Sequence, residues 1–532
     1  MMFLLHGPAY VTLLAVGEPP ILSCDVVKCL YLLQTSPWFC SKVRSAFYSG
    51  PSFCLPLSRL LKGSAITVKM LKLCSLGLLL CFLVPSHGTT PGTVVRIHQE
   101  ALEFASQQGK PYLLRGLLGI QLPGLKGNAG LFGSLMNLVG IKIMDAELPH
   151  LSVNLVEDIG IQVSLGSNLH IRANLLVAPL ELKVGTSILL DVRIMRSPRG
   201  CPILSITACK SLLGDVQILV GGNNLLGWLS PIKKHLHAVL LDKMCLSISN
   251  VFLGLNAKLG TLVGVNPINS MSNLQYSMLD PPVITSEYID MPLSNDFKMM
   301  GKHIEDASTG PSFSLPPQAT VSDNSMVNMG LSEDFFNNYF ATLGQSGALN
   351  LNIGVQSGSG GYRLTRSMFE TAIPSIAKRY PQDVFVGLNV VLSRSPILHF
   401  QEGEAVVTLS PAIQLLVGAS GASSQTQVLA TFGVDLSLSL KMVVTVTSLQ
   451  VSVGLQGAIG LEVESSSIEI TQVSDLRRVV ASVLEEAFLP HLNANLGVGF
   501  SLPKMSNVQY VSPEIEIHED YAQVNCDLAY SG

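Results

Sequence analysis

The feature that most constrains the fold of this chain is a long alternation of apolar and polar side chains with a period of two. In its clearest stretch the apolar positions are Ile161, Val163, Leu165, Leu169, Ile171, Ala173 and Leu175. The pattern returns far along the chain at Val434, Leu436, Leu438 and Leu440. Because successive side chains of a strand point to opposite faces, the pattern predicts antiparallel sheets with one covered and one solvated face. Gly and Ser at the outer positions favour strongly twisted or curved sheets.

Two helices are predicted in the first half of the chain. Thr90 can cap a helix, and Pro91 suits its first position, so we expect a helix from this point. Its apolar stripe consists of Val94, Ile97, Ala101, Phe104 and Ala105. A second helix is expected from about residue 230 to residue 255, again with apolar residues along one side.

The second half repeats this plan. Ser332 followed by Glu333 and Asp334 predicts a helix start, because acidic side chains stabilise a helix N-terminus. Ser474 and Asp475 predict another. The apolar stripe of that last helix is Leu476, Val480, Val483, Leu484 and Ala487. Each half is therefore predicted to run helix, long β region, helix and final strand.

A short internal repeat supports this symmetry. The segment 271–276 recurs 234 residues later as segment 505–510, with five identical letters in six. Each copy is followed by a Pro and then a Tyr, which are Pro282 and Tyr288, then Pro513 and Tyr521. We interpret this as an internal duplication. The predicted domains are 89–300 and 323–532, joined by a Pro-containing linker at 301–322.

A secretory signal is predicted inside the chain rather than at Met1. Lys72 precedes an apolar run, Leu73 to Val84, and Ser86-His87-Gly88 is a small-x-small cleavage site. We therefore expect a signal peptide over residues 70–88 and a secreted, extracellular mature protein. Residues 1–69 are expected to be a non-native or disordered upstream extension that is no part of the working protein.

Charge and motifs argue against several classes of function. Residues 89–300 carry 16 basic and 14 acidic side chains, whereas residues 323–532 carry 9 and 19, a balance that argues against nucleic acid as a partner. There is no Gly-x-Ser-x-Gly hydrolase motif and no phosphate-binding Gly-rich loop. We expect no catalytic residues, no cofactor and no metal site. Only 13% of residues are charged and 48% are apolar, which predicts a large amount of enclosed apolar surface.

Four cysteines follow the predicted cleavage site, and in a secreted protein they favour disulfides. They are Cys201, Cys209, Cys245 and Cys526. Three pairings are possible, and spacing does not choose among them.

Several segments resemble the bactericidal/permeability-increasing protein family. They are Thr90 to Ile97, Ala101 to Gly109, Leu204 to Cys209, Lys243 to Asn250, Gly330 to Phe336 and Phe500 to Pro503. The resemblance covers about residues 89–532. It implies an α+β fold shaped like a boomerang, with two pseudo-symmetric antiparallel β-barrels, each with long helices, joined by a central β-sheet. It also implies a disulfide between Cys209 and Cys245, and leaves the state of Cys201 and Cys526 open.

The resemblance further implies an apolar lipid pocket in each barrel, for a phospholipid or another acyl-chain lipid. We expect the first pocket to involve Ile97, Ala101, Phe104, Val239 and Leu240. The second would involve Val480, Val483 and Ala487. For any one of these residues, ordinary packing in the core is the competing interpretation, because burial of a methylene stabilises either arrangement by about 0.8 kcal/mol.

Two alternatives to lipid carriage remain. One is innate-immune recognition of bacterial lipopolysaccharide or other envelope lipids. Family members that neutralise endotoxin have a lysine-rich tip, whereas residues 115–144 contain only Arg115, Lys126 and Lys142, a departure that suits contact with a membrane or lipid-aggregate surface better. The other alternative is a non-lipid interaction scaffold whose barrels have solid cores.

Overall fold

Three antiparallel sheets and two groups of helices make up the part of the chain described by a computed structural model. The described residues are 92–124, 139–174, 179–220, 223–224, 230–304, 313–317, 325–353, 363–381, 384–418, 426–446 and 448–531. The predicted upstream extension and signal peptide lie outside these residues.

The elements fall into two series, one for each half of the chain. The first contains β1 (Thr93–His98), α1 (Gln99–Leu118), β2 (Val139–Val156), β3 (Gly160–Asn174), β4 (Pro179–Arg196), β5 (Pro202–Val220), β6 (Asn223–Asn224), α2 (Ser230–Leu259), a 3-10 turn (Gly260–Val263), β7 (Val265–Pro267), β8 (Ser272–Met278), β9 (Val283–Ile284), β10 (Tyr288–Met299) and β11 (Lys302–His303).

The second contains β12 (Val327–Ser332), α3 (Glu333–Gln345), β13 (Leu351–Ile353), α4 (Arg366–Phe369), α5 (Pro374–Arg379), β14 (Phe385–Leu392), β15 (Ile397–Gln401), β16 (Glu404–Leu409), β17 (Pro411–Gly418), β18 (Gln427–Val444), β19 (Leu449–Leu455), β20 (Gly460–Ser466), α6 (Val473–Val483), a π turn (Leu484–Phe488), α7 (Leu489–Leu496), β21 (Val508–His518) and β22 (Tyr521–Tyr530).

The alternation of residues predicted the barrel strands correctly. Along β3 and β18 the inward positions are buried and most of the outward ones are not. In the first half, β2 to β6 form a sheet in which each strand pairs with the next along the chain. In the second half, β18 is the long central strand, and β15 and β19 lie at edges of its sheet.

The central sheet is built from both halves in the order β21, β22, β12, β1, β10, β8 and β7. Its symmetry is visible in the register. Val95 of β1 faces Met329 of β12, and the flanking pairs Thr93–Leu331 and Ile97–Val327 are symmetric about it. Val95 and Met329 are 234 positions apart, which is the spacing of the sequence repeat. The predicted duplication thus coincides with a pseudo-twofold axis between β1 and β12.

The repeated segment itself also occupies equivalent positions. Tyr276 of β8 faces Asn295 of β10, and Tyr510 of β21 faces Leu528 of β22. Burial raises the pKa of both tyrosines, so their hydroxyls are neutral and act as donors. Tyr276 donates to the Ser501 carbonyl at 2.8 Å, and Tyr510 donates to the Pro503 carbonyl. Two tyrosines at matching positions of the duplication, near opposite ends of the central sheet, therefore both bond the backbone of segment 501–503.

The predicted start of the first helix was wrong. Residues 93–98 form the central strand β1, and α1 begins only at Gln99. The β-branched side chains of Thr93, Val94, Val95 and Ile97 favour a strand, and both faces of this strand are covered. A strand buried on both faces has no alternating pattern, so it resembles one side of a helix in the sequence. Ile97 consequently belongs to the sheet and not to a helix stripe.

The other helix predictions agree with the structure more closely. α2 covers the predicted range and continues to Leu259. Ser332 caps α3 by accepting a hydrogen bond from the Phe335 N–H. α6 begins at Val473, one residue before the predicted Ser474. A strand precedes the first helix in both halves, so the predicted order of elements is corrected at that point.

A buried ion pair joins the central sheet to the linker. Arg96 of β1 makes two hydrogen bonds of 2.7 Å to the Asp290 carboxylate of β10. Its remaining donors reach the carbonyls of Pro316 at 2.7 Å and Leu315 at 3.3 Å. The guanidinium also lies 3.9 Å from the centre of the Tyr288 ring. One guanidinium thus contacts strand β10 and the linker at once, and the Arg96 side chain is only 5% exposed.

Close packing of the linker on β12 requires a glycine at position 330. A Cβ on Gly330 of β12 would lie 2.6 Å from the Phe313 ring and 2.7 Å from a Leu315 methyl. The described part of the linker, residues 313–317, is therefore docked closely on the middle of the central sheet.

We expect Arg96→Met to lower the free energy of unfolding by about 3 kcal/mol, because it leaves the Asp290 carboxylate buried without its partner. Chemical denaturation followed by circular dichroism measures this loss. Arg172→Met is the matched control, since Arg172 and Glu181 form an exposed pair that should contribute less than about 1 kcal/mol. Equal effects of the two substitutions would contradict a structural role for the buried pair.

Candidate functional site: the apolar seam of the first barrel

The sheet of the first half does not close on itself, and two helices cover the gap. α1 packs against β2, α2 packs against β5, and the two helices pack against each other. An edge strand has unpaired backbone groups, so the helices must supply hydrogen-bond partners as well as apolar contacts.

Two contacts hold α2 along β5. Cys209 and Cys245 form the expected disulfide, with their Cα atoms 6.3 Å apart. The Asn256 side chain accepts from the Leu204 N–H at 2.7 Å and donates to the Leu204 carbonyl at 3.0 Å. Between these contacts the strand advances about 17 Å and the helix about 16.5 Å, so the two run antiparallel with matched lengths.

The same use of side chains recurs at the other barrel edges. An amide side chain from a helix bonds the backbone of an edge strand in three further places: Gln99 with Val153, Asn337 with Leu398, and Asn493 with Val453. Each barrel thus has one such contact at each of two edges. A helix amide is suited to this position because it offers a donor and an acceptor as a neighbouring strand would.

On α1, α2 and β5, a group of apolar side chains packs against the first-barrel core but remains partly exposed. We call this group the apolar seam. Its members are Leu102, Leu113 and Leu114 on α1, Leu204, Ile206 and Val216 on β5, and Val239 and Phe252 on α2. Most inward residues of β3 and β4 are buried, although Val163 and Ile194 on these strands are also partly exposed. The seam therefore collects eight of the partly exposed apolar residues that pack against the first-barrel core.

The residues predicted for the first pocket are only partly brought together. Ala101 and Leu240 are fully buried in the core. Val239 belongs to the seam, and Phe104 is half-buried on α1. Ile97 is half-buried on β1, where it contacts the cores of both halves.

The residues predicted for the second pocket lie on the last helical segment. Val480 and Val483 of α6 are fully buried in the second-half core, and Ala487 in the following π turn is half-buried. The surrounding core contains many buried aromatic rings, which include Phe335, Phe336, Phe340 and Phe500. Val480 and Val483 are therefore part of a core rich in aromatic side chains.

Most seam residues were not predicted from the sequence. Two register shifts in the pairing of β4 with β5 move the inward set from Leu204 and Ile206 to Cys209, and then to Val216. Each bulge changes which alternate residues face inward, so no single period-two pattern runs through β5. Only the alternation of Leu204 and Ile206, which precedes the first bulge, could have indicated inward-facing residues of β5 from the sequence.

A polar cluster joins α1 and α2 to the C-terminal strand. The Tyr530 hydroxyl lies 3.0 Å from the Tyr112 hydroxyl and accepts a hydrogen bond from Lys258 Nζ at 3.1 Å. These bonds, with Tyr112 first and Lys258 next, lower the pKa of Tyr530 to about 8. The bond to Tyr530 raises the pKa of Lys258. Lys258 and Tyr530 thus form a pair that becomes ionic in mildly alkaline solution.

A separate cleft of about 340 Å³ lies between the end of α2 and the second half. Its lining is mixed and includes Thr261, Asn266, Lys504 and Ser531. None of the residues predicted for the lipid pockets lines it, so this cleft and the seam are distinct features.

The remaining groups that could hold metals or react are sparse. Within the described ranges, no cluster of three His, Cys, Asp or Glu side chains could hold a metal ion. Neither Cys201 nor Cys526 forms a disulfide in this part of the chain. Cys526 is buried in β22 and its thiol contacts the Val327 carbonyl at 3.6 Å.

Two pseudo-symmetric halves, each an open sheet completed by helices and joined through a shared sheet, define a helix-closed double-barrel protein. Residues 101–262 match the N-terminal domain, and residues 266–530 the C-terminal domain, of the LBP / BPI / CETP family. The chain belongs to this family.

Individual relatives agree with this assignment. The chain is 33% identical to human "BPI fold-containing family B member 2" (Homo sapiens), over 86% of this chain and 98% of the relative. It is 26% identical to the bovine "Lipopolysaccharide-binding protein" (Bos taurus), over 86% and 97% of the two chains. Among solved structures, a crystal structure of lipopolysaccharide binding protein aligns with a TM-score of 0.53 at 22% identity, over 83% of this chain and 100% of that one, which supports the fold.

We expect Asn256→Leu to lower the free energy of unfolding by about 2 kcal/mol, because two backbone groups of Leu204 lose their partner. Hydrogen exchange of the Leu204 amide should accelerate at the same time. Asn250→Leu on the same helix is the matched control, since Asn250 is exposed and should change neither quantity appreciably. Unchanged exchange at Leu204 in Asn256→Leu would contradict the proposed edge contact.

We expect one tyrosine of the folded protein to ionise near pH 8, two units below the ordinary value of 10.0 for tyrosine. Because the folded state lowers this pKa, the ion pair contributes stability fully above about pH 10 and loses it as the pH falls through about 8. Ultraviolet titration of tyrosinate measures the transition. Tyr530→Phe should remove it, and Tyr112→Phe should shift it upward. A lowest tyrosine pKa near 10 in the unmodified protein is the contrary result.

Proposed function

We propose that the protein is a secreted, non-catalytic lipid-binding protein that holds phospholipid-like ligands in apolar barrel interiors. The observation that supports this best is the apolar seam, where side chains that contact the core remain partly exposed. An acyl chain is a chemically suitable partner for such a surface, because each buried methylene stabilises the complex by about 0.8 kcal/mol. Membership of the LBP / BPI / CETP family supports lipid as the class of ligand.

In this proposal the first pocket involves Ile97, Ala101, Phe104, Val239 and Leu240, together with the seam. Half-buried members such as Phe104 and Val239 could contact a ligand directly. The fully buried Ala101 and Leu240 would act behind them, by supporting the wall.

The second pocket, at Val480, Val483 and Ala487, stays a prediction. Since Val480 and Val483 are fully enclosed by protein, a ligand there would require repacking of the second-half core. The first barrel is therefore the more accessible place for a lipid to enter.

Secretion is supported by the disulfide. A bond between Cys209 and Cys245 persists in oxidising compartments and is rare in the cytosol. The predicted signal peptide at 70–88 agrees with that compartment, although it lies outside the described residues.

Recognition of bacterial envelope lipids is a second candidate. It is favoured by relatives whose names are "Lipopolysaccharide-binding protein" and, in rat (Rattus norvegicus), "Bactericidal permeability-increasing protein", the latter 26% identical over 83% of this chain. Arg115 and Lys142 are exposed, and Lys126 lies outside the described residues. Salt-sensitive binding to lipopolysaccharide is the expected behaviour, and absence of binding at low salt counts against it. A scaffold without lipid is the remaining alternative.

We expect lipid to co-purify with the protein and to be released on denaturation. Native mass spectrometry of the purified full chain, followed by lipid extraction, measures this. Ile206→Trp adds a large side chain to the seam, and should reduce the bound lipid at least about threefold by occupying its space.

Leu212→Trp is the control, because Leu212 is on the same strand and 72% exposed. It should retain the lipid content of the unmodified protein. Absence of any co-purifying or exchangeable lipid would contradict the proposal and favour the non-lipid interaction scaffold. Equal lipid content in both variants would show that the lipid binds elsewhere than at the seam.

A further inference from the structure

The outer side of α2 presents an exposed stripe that the barrel does not use. Lys243, Leu246, Asn250, Leu253 and Ala257 are all exposed and follow one another at intervals of three and four residues. This spacing places them on one face of the helix. Leu246 is 55% exposed and Leu253 is 66% exposed, so two large apolar side chains stand in solvent two turns apart.

The stripe is fixed in this outward orientation. Leu240, Met244 and Ile248 form the inner face of α2 and are fully buried against the sheet. The disulfide at Cys245 and the Asn256 contact hold the helix at two levels along β5. Rotation that buried the stripe would break both attachments.

α2 contains more apolar residues than its buried inner face needs. Of the described helical residues, one stretch, Ala238–Val263, is long and apolar enough to cross a membrane by length and composition alone. Only 17% of its most apolar window is buried. Because the helix is tied to the barrel, its surplus apolar surface lies on the outside rather than in a membrane span.

The end of α1 extends this surface. The Ser247 hydroxyl donates to the Gly116 carbonyl at 2.7 Å, and Lys258 Nζ lies 5.1 Å from the centre of the Tyr112 ring. These contacts show that α1 runs antiparallel beside α2. The exposed residues of this part of α1 include Tyr112, Arg115 and Leu118.

The surface is basic, in a chain whose net charge is −4. The exposed cations of these elements include Arg115 on α1, Lys210 on β5, and Lys234 and Lys243 on α2, and of these Lys243 is itself a member of the stripe. Asp242, the one acidic residue of α2, is also exposed and lies one turn before Leu246, so the cations outnumber it rather than stand alone. The exposed Glu100 and Glu103 lie in the first turns of α1, at its opposite end.

We propose that the outer face of α1 and α2 docks on the surface of an anionic phospholipid bilayer. Leu246 and Leu253 enter the boundary between headgroups and acyl chains, while Lys243 and Arg115 remain at the level of the phosphates. Exposed leucines on the same helix as Lys243, with Arg115 on the neighbouring helix, suit this partner, because the acyl-chain boundary takes the leucines while anionic headgroups attract the cations. The docking needs no lipid inside the barrel and so is independent of the proposed carrier function.

Flotation of the full chain with vesicles tests this proposal. One set contains phosphatidylserine in phosphatidylcholine, and the other contains phosphatidylcholine alone. We expect flotation with the anionic set only, weakening as salt is raised. The double variant Leu246→Ser with Leu253→Ser should bind at least about tenfold more weakly, because two apolar side chains no longer leave water.

Two further variants separate the contributions of charge and apolar area. Lys243→Glu should weaken binding to the anionic vesicles by about threefold or more, with no effect on the thermal midpoint. Asn250→Leu makes the stripe continuously apolar and should strengthen binding by a similar factor. This gain does not depend on a substitution that could damage folding.

Ile397→Ser with Val443→Ser is the matched control, because these two residues are exposed apolar side chains of the second half, 50% and 59% exposed. It should bind as the unmodified protein does. Equal binding to both vesicle sets, binding that survives the double leucine substitution, or an equal loss in the control would each overturn the proposal. Lipid extraction on the same samples reports the carrier function separately.

Discussion

The two barrels depend on one physical constraint: an open rolled sheet has two edge strands whose unpaired backbone groups need hydrogen-bond partners. Each edge presents N–H and C=O groups that cannot be buried without partners. In this protein, helices cover the edges and amide side chains bond them, as Asn256 does for Leu204 and Asn493 for Val453. The position of each helix follows from these contacts, and the position of the enclosed apolar residues follows from the helices.

The two halves use this common plan with different packing. In the second half, buried aromatic rings fill the space beneath the helices, and α6 contributes fully enclosed valines. In the first half, β5 is bulged twice and faces the helices with partly exposed aliphatic side chains. A duplicated fold has therefore produced two barrels with different linings, one rich in buried aromatic rings and one with aliphatic side chains on a bulged edge strand.

The sequence predicted the elements whose two faces differ. The alternation in β3 and β18 follows from one covered and one more solvated face, so it is visible in the letters. The start of α3 was predicted from Ser332 and the acidic residues after it, and α2 from its apolar stripe. The strand β1 is covered on both faces and was predicted as a helix for that reason. The seam was hidden by the bulges in β5, and the edge contacts were hidden because an Asn that bonds backbone has no partner side chain in the sequence. The disulfide came from family resemblance rather than from spacing.

The register between β1 and β12 has a consequence for how such a chain could arise. Since Val95 faces Met329 and the pairing is symmetric about them, the contact between the halves is isologous, with the same surface used on each side. A single half would present an uncovered β1 edge complementary to the β1 edge of a second copy. The central sheet therefore has the geometry of a twofold dimer interface that a linker has made permanent. In such an arrangement, the lining of either half can diverge while the shared sheet keeps the two halves joined.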